Sequence, residues 1–122
     1  MYGNGNAPAD NLFVLKTATG LRFESLAAVE WLEADRNHVI FHILGREPVR
    51  VRAKFSELES ALEAARFLRI SRSSMVNLAH VLQAESLQGG RYVFELQSGC
   101  KLQASRSRAV VIRKLAAKMR HA

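Results

Sequence analysis

Turn-forming residues recur at short intervals along the chain, and this spacing restricts the fold more than any other feature. They divide the sequence into apolar or alternating runs of only a few residues each. The turn candidates are 17–20, 35–37, 45–48, 89–90 and 98–99. Runs this short suit antiparallel strands joined by hairpins, and they fall well below the length that a transmembrane helix needs.

The runs between these turns predict short β-strands along most of the chain. The predicted strands are 12–16, 21–24, 26–34, 38–44, 49–52, 68–71, 75–77, 80–87, 91–96 and 100–104. Residues 12–24 form a hairpin in this prediction, and Gly89 with Gly90 joins two later strands. In 26–34, strict alternation places Val29 and Trp31 on one face of the strand.

Two segments change to the period of an amphipathic helix. In the first, 55–65, Ser56 and Glu59 have the spacing of a capping box. The inward positions are predicted to be Phe55, Leu58, Leu62 and Ala65 in this helix, and Val110, Val111, Leu115 and Met119 in 107–119. The sequence therefore predicts a mainly β fold with one short internal helix and a C-terminal helix. Because it has no helix-turn-helix pair, nucleic acid would be contacted by loops at strand ends.

Charge is distributed very unevenly along the chain. Residues 1–35 carry two bases and five acids, a net charge of −3, whereas residues 36–122 carry sixteen bases and six acids, a net charge of +10. From Leu96 to the end there are seven bases and no acid. A one-sided basic surface is typical of proteins with a polyanionic partner. The bases of the last helix have a second interpretation, since they also solvate it and complement its dipole.

The residues that usually carry catalysis or bind metals lack the necessary context. His38 and His42 lie on one face of a strand about 13 Å apart, which is too far to share a metal. Cys100 is the one cysteine, so no internal disulfide forms, and this favours a reducing cytoplasm. The serines lack a nucleophile elbow, and no glycine-rich phosphate loop is present. We therefore expect no enzyme activity, no cofactor, no metal and no small-molecule substrate.

The segment 67–77 combines two arginines and three serines with apolar residues and contains no acid. Leu68, Ile70 and the later pair at 75–76 anchor strand-like backbone, which leaves the polar side chains to face elsewhere. Arginine has a planar fork that suits phosphate oxygens and the edge of guanine, and serine hydroxyls donate to phosphate. The segment therefore predicts a nucleic-acid contact, although a solvated turn would have a similar composition.

Four motifs in order resemble the LytTR DNA-binding domain of bacterial transcription regulators. Glu33-Ala-Asp-Arg-Asn37 with His38-Val-Ile is similar to that family's Glu-Ala-x-x-Asn-Tyr-Val. The segment 55–59 is similar to its helix start, and 67–77 to its Phe-x-Arg-x-His-Arg-Ser-x-x-Val-Asn signature. Leu102-Gln-Ala-Ser-Arg106 is similar to its closing Val-Ser-Arg. The resemblance covers 27–119, about three quarters of the chain.

The resemblance implies an elongated stack of small antiparallel sheets whose loops enter successive major grooves. It makes Asn37, Arg72 and Arg106 the expected base contacts. Arg69 and Ser73 are expected to support these contacts or to touch phosphate, and Asn77 to be structural. The register near 104–108 is loose, so Arg108 is an alternative to Arg106. Ser71, His38 and Arg108 stand where the family usually has histidine, tyrosine and an aromatic residue, which bears on the target sequence.

The expected partner is double-stranded DNA with tandem or repeated sites, and a homodimer on DNA is compatible with such sites. Two alternatives stay open: an RNA-binding domain, and a basic protein-interaction module that docks an acidic partner. The DNA-binding domain is predicted to span 27–122, after a leader or linker at 1–26 that includes the hairpin at 12–24. The chain is expected to be a stand-alone regulator or a fragment of a longer one.

Overall fold

The structure is a computed structural model that describes residues 12–121. The strands in this range are β1 (Leu12–Thr17), β2 (Gly20–Ser25), β3 (Val29–Asp35), β4 (His38–Ile43), β5 (Val49–Arg52), β6 (Phe67–Ser71), β7 (Ser74–Asn77), β8 (Val81–Ser86), β9 (Tyr92–Leu96) and β10 (Lys101–Gln103). The helices are α1 (Phe55–Ala64) and α2 (Ala109–Lys118). Residues 1–11 of the predicted leader lie outside the described residues.

The strands form three antiparallel sheets. β1 and β2 make a hairpin, β5-β4-β3-β7-β6 make a central five-stranded sheet, and β10-β9-β8 make a three-stranded sheet. The predicted mainly β fold, with a short internal helix and a C-terminal helix, is confirmed. Neither α-helix in residues 12–121 has the length and apolar character that crossing a bilayer requires.

Two hydrophobic cores lie on opposite faces of the central sheet. The first joins that sheet to α1 and to Leu15 of the hairpin, and Phe41 and Leu62 are fully buried in it. The second joins β6 and β7 to the three-stranded sheet and to α2, around Ile70 and Leu96. Since Leu15 packs with the central sheet, the hairpin is part of the folded unit. The division of the chain at residue 27 stays a prediction.

A β-bulge in β3 directs its side chains to both cores. The pairing with β4 shifts between Val29 and Trp31, so Val29 packs in the first core while Trp31 packs against the second. The prediction that these two residues share a face is therefore wrong, because the extra residue of a bulge breaks the period of two. That extra residue, Glu30, is buried and accepts hydrogen bonds from the Ser98 backbone N–H and hydroxyl at 2.7 and 2.6 Å.

The helices agree with the prediction in position but not in every detail. The inward face of α1 is confirmed, since Phe55 and Leu62 are buried and Leu58 packs beside them. Its first turn is capped differently from the prediction: Glu57, not Glu59, accepts a 2.7 Å hydrogen bond from the Lys54 backbone N–H.

Of the residues predicted to face inward from α2, only Leu115 is confirmed. Ala109 and Ile112 are buried, and Leu115 is half-buried against the second core. Val110, Val111 and Met119, which were expected inside, are 52%, 40% and 42% exposed. The row of α2 that faces the sheet runs through Ala109, Ile112 and Leu115 at intervals of three residues, and this orientation turns Val110 and Val111 toward solvent.

Asn77 closes the end of β7 with three buried hydrogen bonds. Its amide nitrogen donates to the carbonyls of Leu26 and Val29 at 3.2 and 2.9 Å, and its amide oxygen accepts from the Ala79 N–H at 3.0 Å. Asn77 is 4% exposed, so water does not replace these partners. The predicted structural role of Asn77 is confirmed, and the contacts join β7 to the start of β3.

We predict that Asn77→Ala destabilises the fold by about 2–3 kcal/mol, because buried carbonyl and N–H groups lose their partners. The free energy of unfolding from urea denaturation measures the effect. The matched control is Asn37→Ala, which removes the same amide from an exposed position and should change stability by less than about 0.5 kcal/mol. Equal effects of the two substitutions would contradict the structural role of Asn77.

Candidate nucleic-acid interface

Three chain segments meet at one end of the central sheet. Because β3 pairs antiparallel with β7, with Glu33 opposite Ser74, the turns at 36–37 and 72–73 lie at the same end. The Ala34 N–H donates to the Ser73 carbonyl at 2.9 Å, which fixes the two turns side by side. Beyond them, the Ser105 N–H donates to the Ile70 carbonyl at 2.8 Å. We call residues 36–37, 72–73 and 104–106 the loop edge.

The loop edge places the three predicted base contacts in the order Asn37, Arg72, Arg106. Neighbouring strands are spaced by about 4.8 Å, so the two hairpin turns are separated by roughly 10 Å along the sheet. The segment of Arg106 continues the same row on the far side of β6. These residues, which are more than thirty positions apart in the sequence, therefore lie along one side of the molecule. Contact of any of them with DNA stays a prediction.

Asn37 is exposed at the first turn. A hydrogen bond fixes its backbone, but its side-chain amide is not fixed. Its carbonyl accepts a 3.1 Å hydrogen bond from the Ala53 N–H, whereas within residues 12–121 its side chain has no hydrogen-bond partner. The positive φ of this turn, 59°, belongs to Arg36. The turn geometry therefore does not explain an asparagine at 37. Arg36 itself is an exposed base that the sequence analysis did not select, although it lies inside the quoted motif.

Arg72 projects from a turn whose backbone is fixed by its neighbours. The Ser73 N–H donates to the Ser71 hydroxyl at 3.2 Å, and the Arg72 carbonyl accepts from Arg69 at 2.8 Å. Arg72 and Ser73 are exposed, and the Arg72 guanidinium makes no ion pair within the described part of the chain. A fixed backbone with a free guanidinium suits contact with an external acceptor.

Arg69 holds this turn in place from the inner side. Its Nε donates to the Ser71 carbonyl at 3.1 Å and its Nη2 to the Arg72 carbonyl at 2.8 Å. The guanidinium also lies 5.2 Å from the centre of the Phe55 ring and 3.5 Å from a Glu59 oxygen. Its donors are thus directed at the protein, which fits the supporting role expected of Arg69.

Arg106 and Arg108 differ in what they contact. Arg106 is exposed at the loop edge, and its guanidinium has no hydrogen bond within residues 12–121. Arg108 is half-buried, and its Nε donates to the Arg69 carbonyl at 3.0 Å. One N–H donor of the Arg108 guanidinium is therefore already used within the fold, whereas all the donors of Arg106 are available. The geometry favours Arg106 over Arg108 as the base contact, although neither contact is tested.

The acids nearest the loop edge are already occupied. Asp35 forms a 3.0 Å ion pair with Arg50, and the Glu59 carboxylate faces Arg69. Glu57 is bound by the backbone N–H at the start of α1. These carboxylates are therefore directed toward partners within the fold, and in residues 12–121 no carboxylate lies within 4 Å of the Arg72 or Arg106 guanidinium.

Metal-binding and nucleophilic side chains do not form a centre of their own in the described range. His42 stacks on Trp31 with ring centroids 4.0 Å apart, and its Nε2 lies 3.0 Å from a Glu33 oxygen. Burial raises the pKa of the half-buried Cys100 thiol, and the carboxylates of Glu30 and Glu33 raise it further. Cys100 precedes β10 rather than lying inside a strand. Between residues 12 and 121 no group of three His, Cys, Asp or Glu side chains is arranged to hold a metal ion.

We predict that Arg69→Lys loosens the 71–73 turn without changing the charge of the protein. A lysine ammonium cannot reproduce the forked contact with two carbonyls, so we expect a loss of about 1–2 kcal/mol in stability. Amide hydrogen exchange should become faster at Ser73, whose N–H bonds to the Ser71 hydroxyl, and at Ala34, whose N–H bonds to the Ser73 carbonyl. The control is Arg72→Lys, whose exposed side chain has no partner and should leave exchange unchanged. Unaltered exchange in Arg69→Lys would show that Arg69 does not position the turn.

Comparisons with known proteins identify the family and the fold of this chain. The sequence profile of the LytTR family, described as the LytTr DNA-binding domain, matches residues 20–117. A solved LytTr DNA-binding domain from Bacillus cereus superposes with a TM-score of 0.76 at 23% identity, over 87% of this chain and 96% of that one. Comparison with curated protein sequences gives no significant match. The LytTR profile covers well over half of the chain, and the chain therefore belongs to the LytTR family of DNA-binding domains.

Proposed function

We propose that this domain regulates transcription by binding double-stranded DNA in a sequence-specific manner, with the loop edge in the grooves. Asn37, Arg72 and Arg106 read bases in this proposal, and Arg69 positions the turn that carries Arg72. The observation that carries the proposal is the alignment of the three side chains on one edge, each exposed and without a partner in residues 12–121. Family membership supports DNA as the partner.

The chemistry of the loop edge favours duplex DNA over the alternatives. Arginine forks match the O6 and N7 atoms of guanine, and an asparagine amide matches adenine, both in the major groove. Recognition of single-stranded RNA relies on aromatic side chains that stack on bases, but the loop edge carries Asn, Arg and Ser. Phe41 and Phe94 are buried in the two cores, so their rings are not available to stack on bases. The carboxylates of an acidic protein would also match the arginine forks, but they would leave the Asn37 amide without the paired donor and acceptor that adenine supplies.

Binding to duplex DNA should depend steeply on salt, because the arginines displace condensed counterions from phosphates. If about five phosphates are neutralised, the logarithm of affinity should fall against the logarithm of salt concentration with a slope of roughly −4 to −5. Fluorescence anisotropy with a labelled duplex measures this slope. A slope near zero would exclude the proposed mode of binding, and equal competition by random and selected duplexes would exclude sequence specificity.

The three proposed base contacts should each control a different position of the target. A duplex selected from a random library, and its single-base variants, form the test panel. Arg72→Ala should lose about 1–3 kcal/mol of discrimination at its own base pair and keep its thermal stability. Asn37→Ala and Arg106→Ala should each relax a further, separate position. If all three variants keep the wild-type preference at every position, the domain reads phosphates and DNA shape instead.

A further inference from the structure

A cleft beside Arg106 contains a second arginine that neither the sequence analysis nor the family motifs selected. The cleft is lined by Ser71, Arg91, Gln103–Arg106 and contains no acid. Arg91 directly follows the Gly89-Gly90 turn and leads into β9, at the end of the three-stranded sheet that faces Ser71. The cleft therefore opens next to the loop edge and is built by two sheets and the segment before α2.

Arg91 is half-buried in this cleft without a compensating charge. Its Nε is fully enclosed by protein atoms and has no hydrogen-bond acceptor, and no carboxylate lies within 4 Å of its guanidinium in residues 12–121. Burial of the Nε N–H without an acceptor is unfavourable, and the partly exposed remainder of the guanidinium is the part that an external anion can reach. The protein alone thus leaves this arginine with unmet hydrogen-bonding capacity.

Arg106 adds a second unpaired guanidinium to the same cleft. Its Nη2 lies 3.4 Å from the position that a Cβ on Gly89 would occupy, which places it over the turn that leads into Arg91. Two positive charges beside one cleft attract an anion more strongly than one does, even when the anion contacts only Arg91. The side chains of Ser71, Gln103 and Ser105 supply neutral hydrogen-bond donors around the same space.

We propose that this cleft binds a backbone phosphate of the DNA duplex, and that Arg91 is its principal phosphate contact. The inference rests on the proposed function, and it assigns the cleft to phosphate because a concave, acid-free pocket of forked donors suits a compact anion. The edge of a base lies inside a groove of the duplex, where a protruding side chain reaches it and a concave cleft does not. The seated phosphate fixes the register in which the adjacent Arg106 meets the bases.

The test compares Arg91→Gln with the wild-type chain on the selected duplex and on a scrambled duplex. Loss of one phosphate contact should weaken both by roughly eightfold at 0.1 M salt and reduce the salt slope by about 0.9, while their affinity ratio stays constant. Arg91→Lys should restore the slope, since an ammonium still binds phosphate as a point charge. Lys101→Gln, which removes one charge outside the set of residues that line the cleft, should leave the slope unchanged.

A scan with neutral methylphosphonate linkages locates the phosphate. One linkage should weaken the wild-type chain and have no further effect on Arg91→Gln. If Arg91→Gln does not fold, Arg91→Met, which keeps the apolar part of the side chain and removes the charge, takes its place. An unchanged slope in Arg91→Gln, or a changed preference at one base pair, overturns the phosphate assignment alone. Absence of duplex binding by the wild-type chain overturns the proposed function and this assignment together.

Discussion

The pairing of β3 with β7 is the interaction on which the rest of this structure depends. It joins strands that are about forty residues apart in the sequence and fixes the central sheet. The same register brings the turns at 36–37 and 72–73 to one end, where the bond from Ala34 to Ser73 holds them together. At the other end, Asn77 connects β7 to the carbonyls at the start of β3. A shift of one residue would reverse every side chain of β7 and separate both ends.

Arginines in this domain fall into two groups with different tasks. Arg50, Arg69 and Arg108 face carboxylates or carbonyls of the fold, and the planar fork of Arg69 binds two carbonyls at once. Arg72 and Arg106 make no such contacts within the described range. Arg69 of the first group holds the backbone of the 71–73 turn, and the second group carries the available charge of the loop edge. The net charge of the sequence cannot separate these groups, because it counts every arginine equally.

Local pattern predicted most of the fold, since hairpins and α1 depend on residues that are close in sequence. The faces of β3 and α2 could not be predicted in this way. A bulge at Glu30 follows from contacts with Ser98, and the inward side of α2 follows from the position of a sheet built by other segments. The order of Asn37, Arg72 and Arg106 on one edge also required the pairing of distant strands. The half-buried position of Arg91 could not be predicted from its neighbours in the sequence, because an arginine after two glycines is typical of an exposed turn.

The two cores have a consequence for how such a domain diversifies. The part of the central sheet that contains β3, β7 and β6 is covered on both faces, so its side chains there serve packing. In the proposed mode of binding, recognition is left to the tips of the strands, where Asn37 and Arg72 are exposed. Substitutions at these tips leave both cores intact. Under this proposal, related domains can therefore differ in the DNA sequence that they prefer with little change in the free energy of unfolding. The scaffold that presents the tips stays the same.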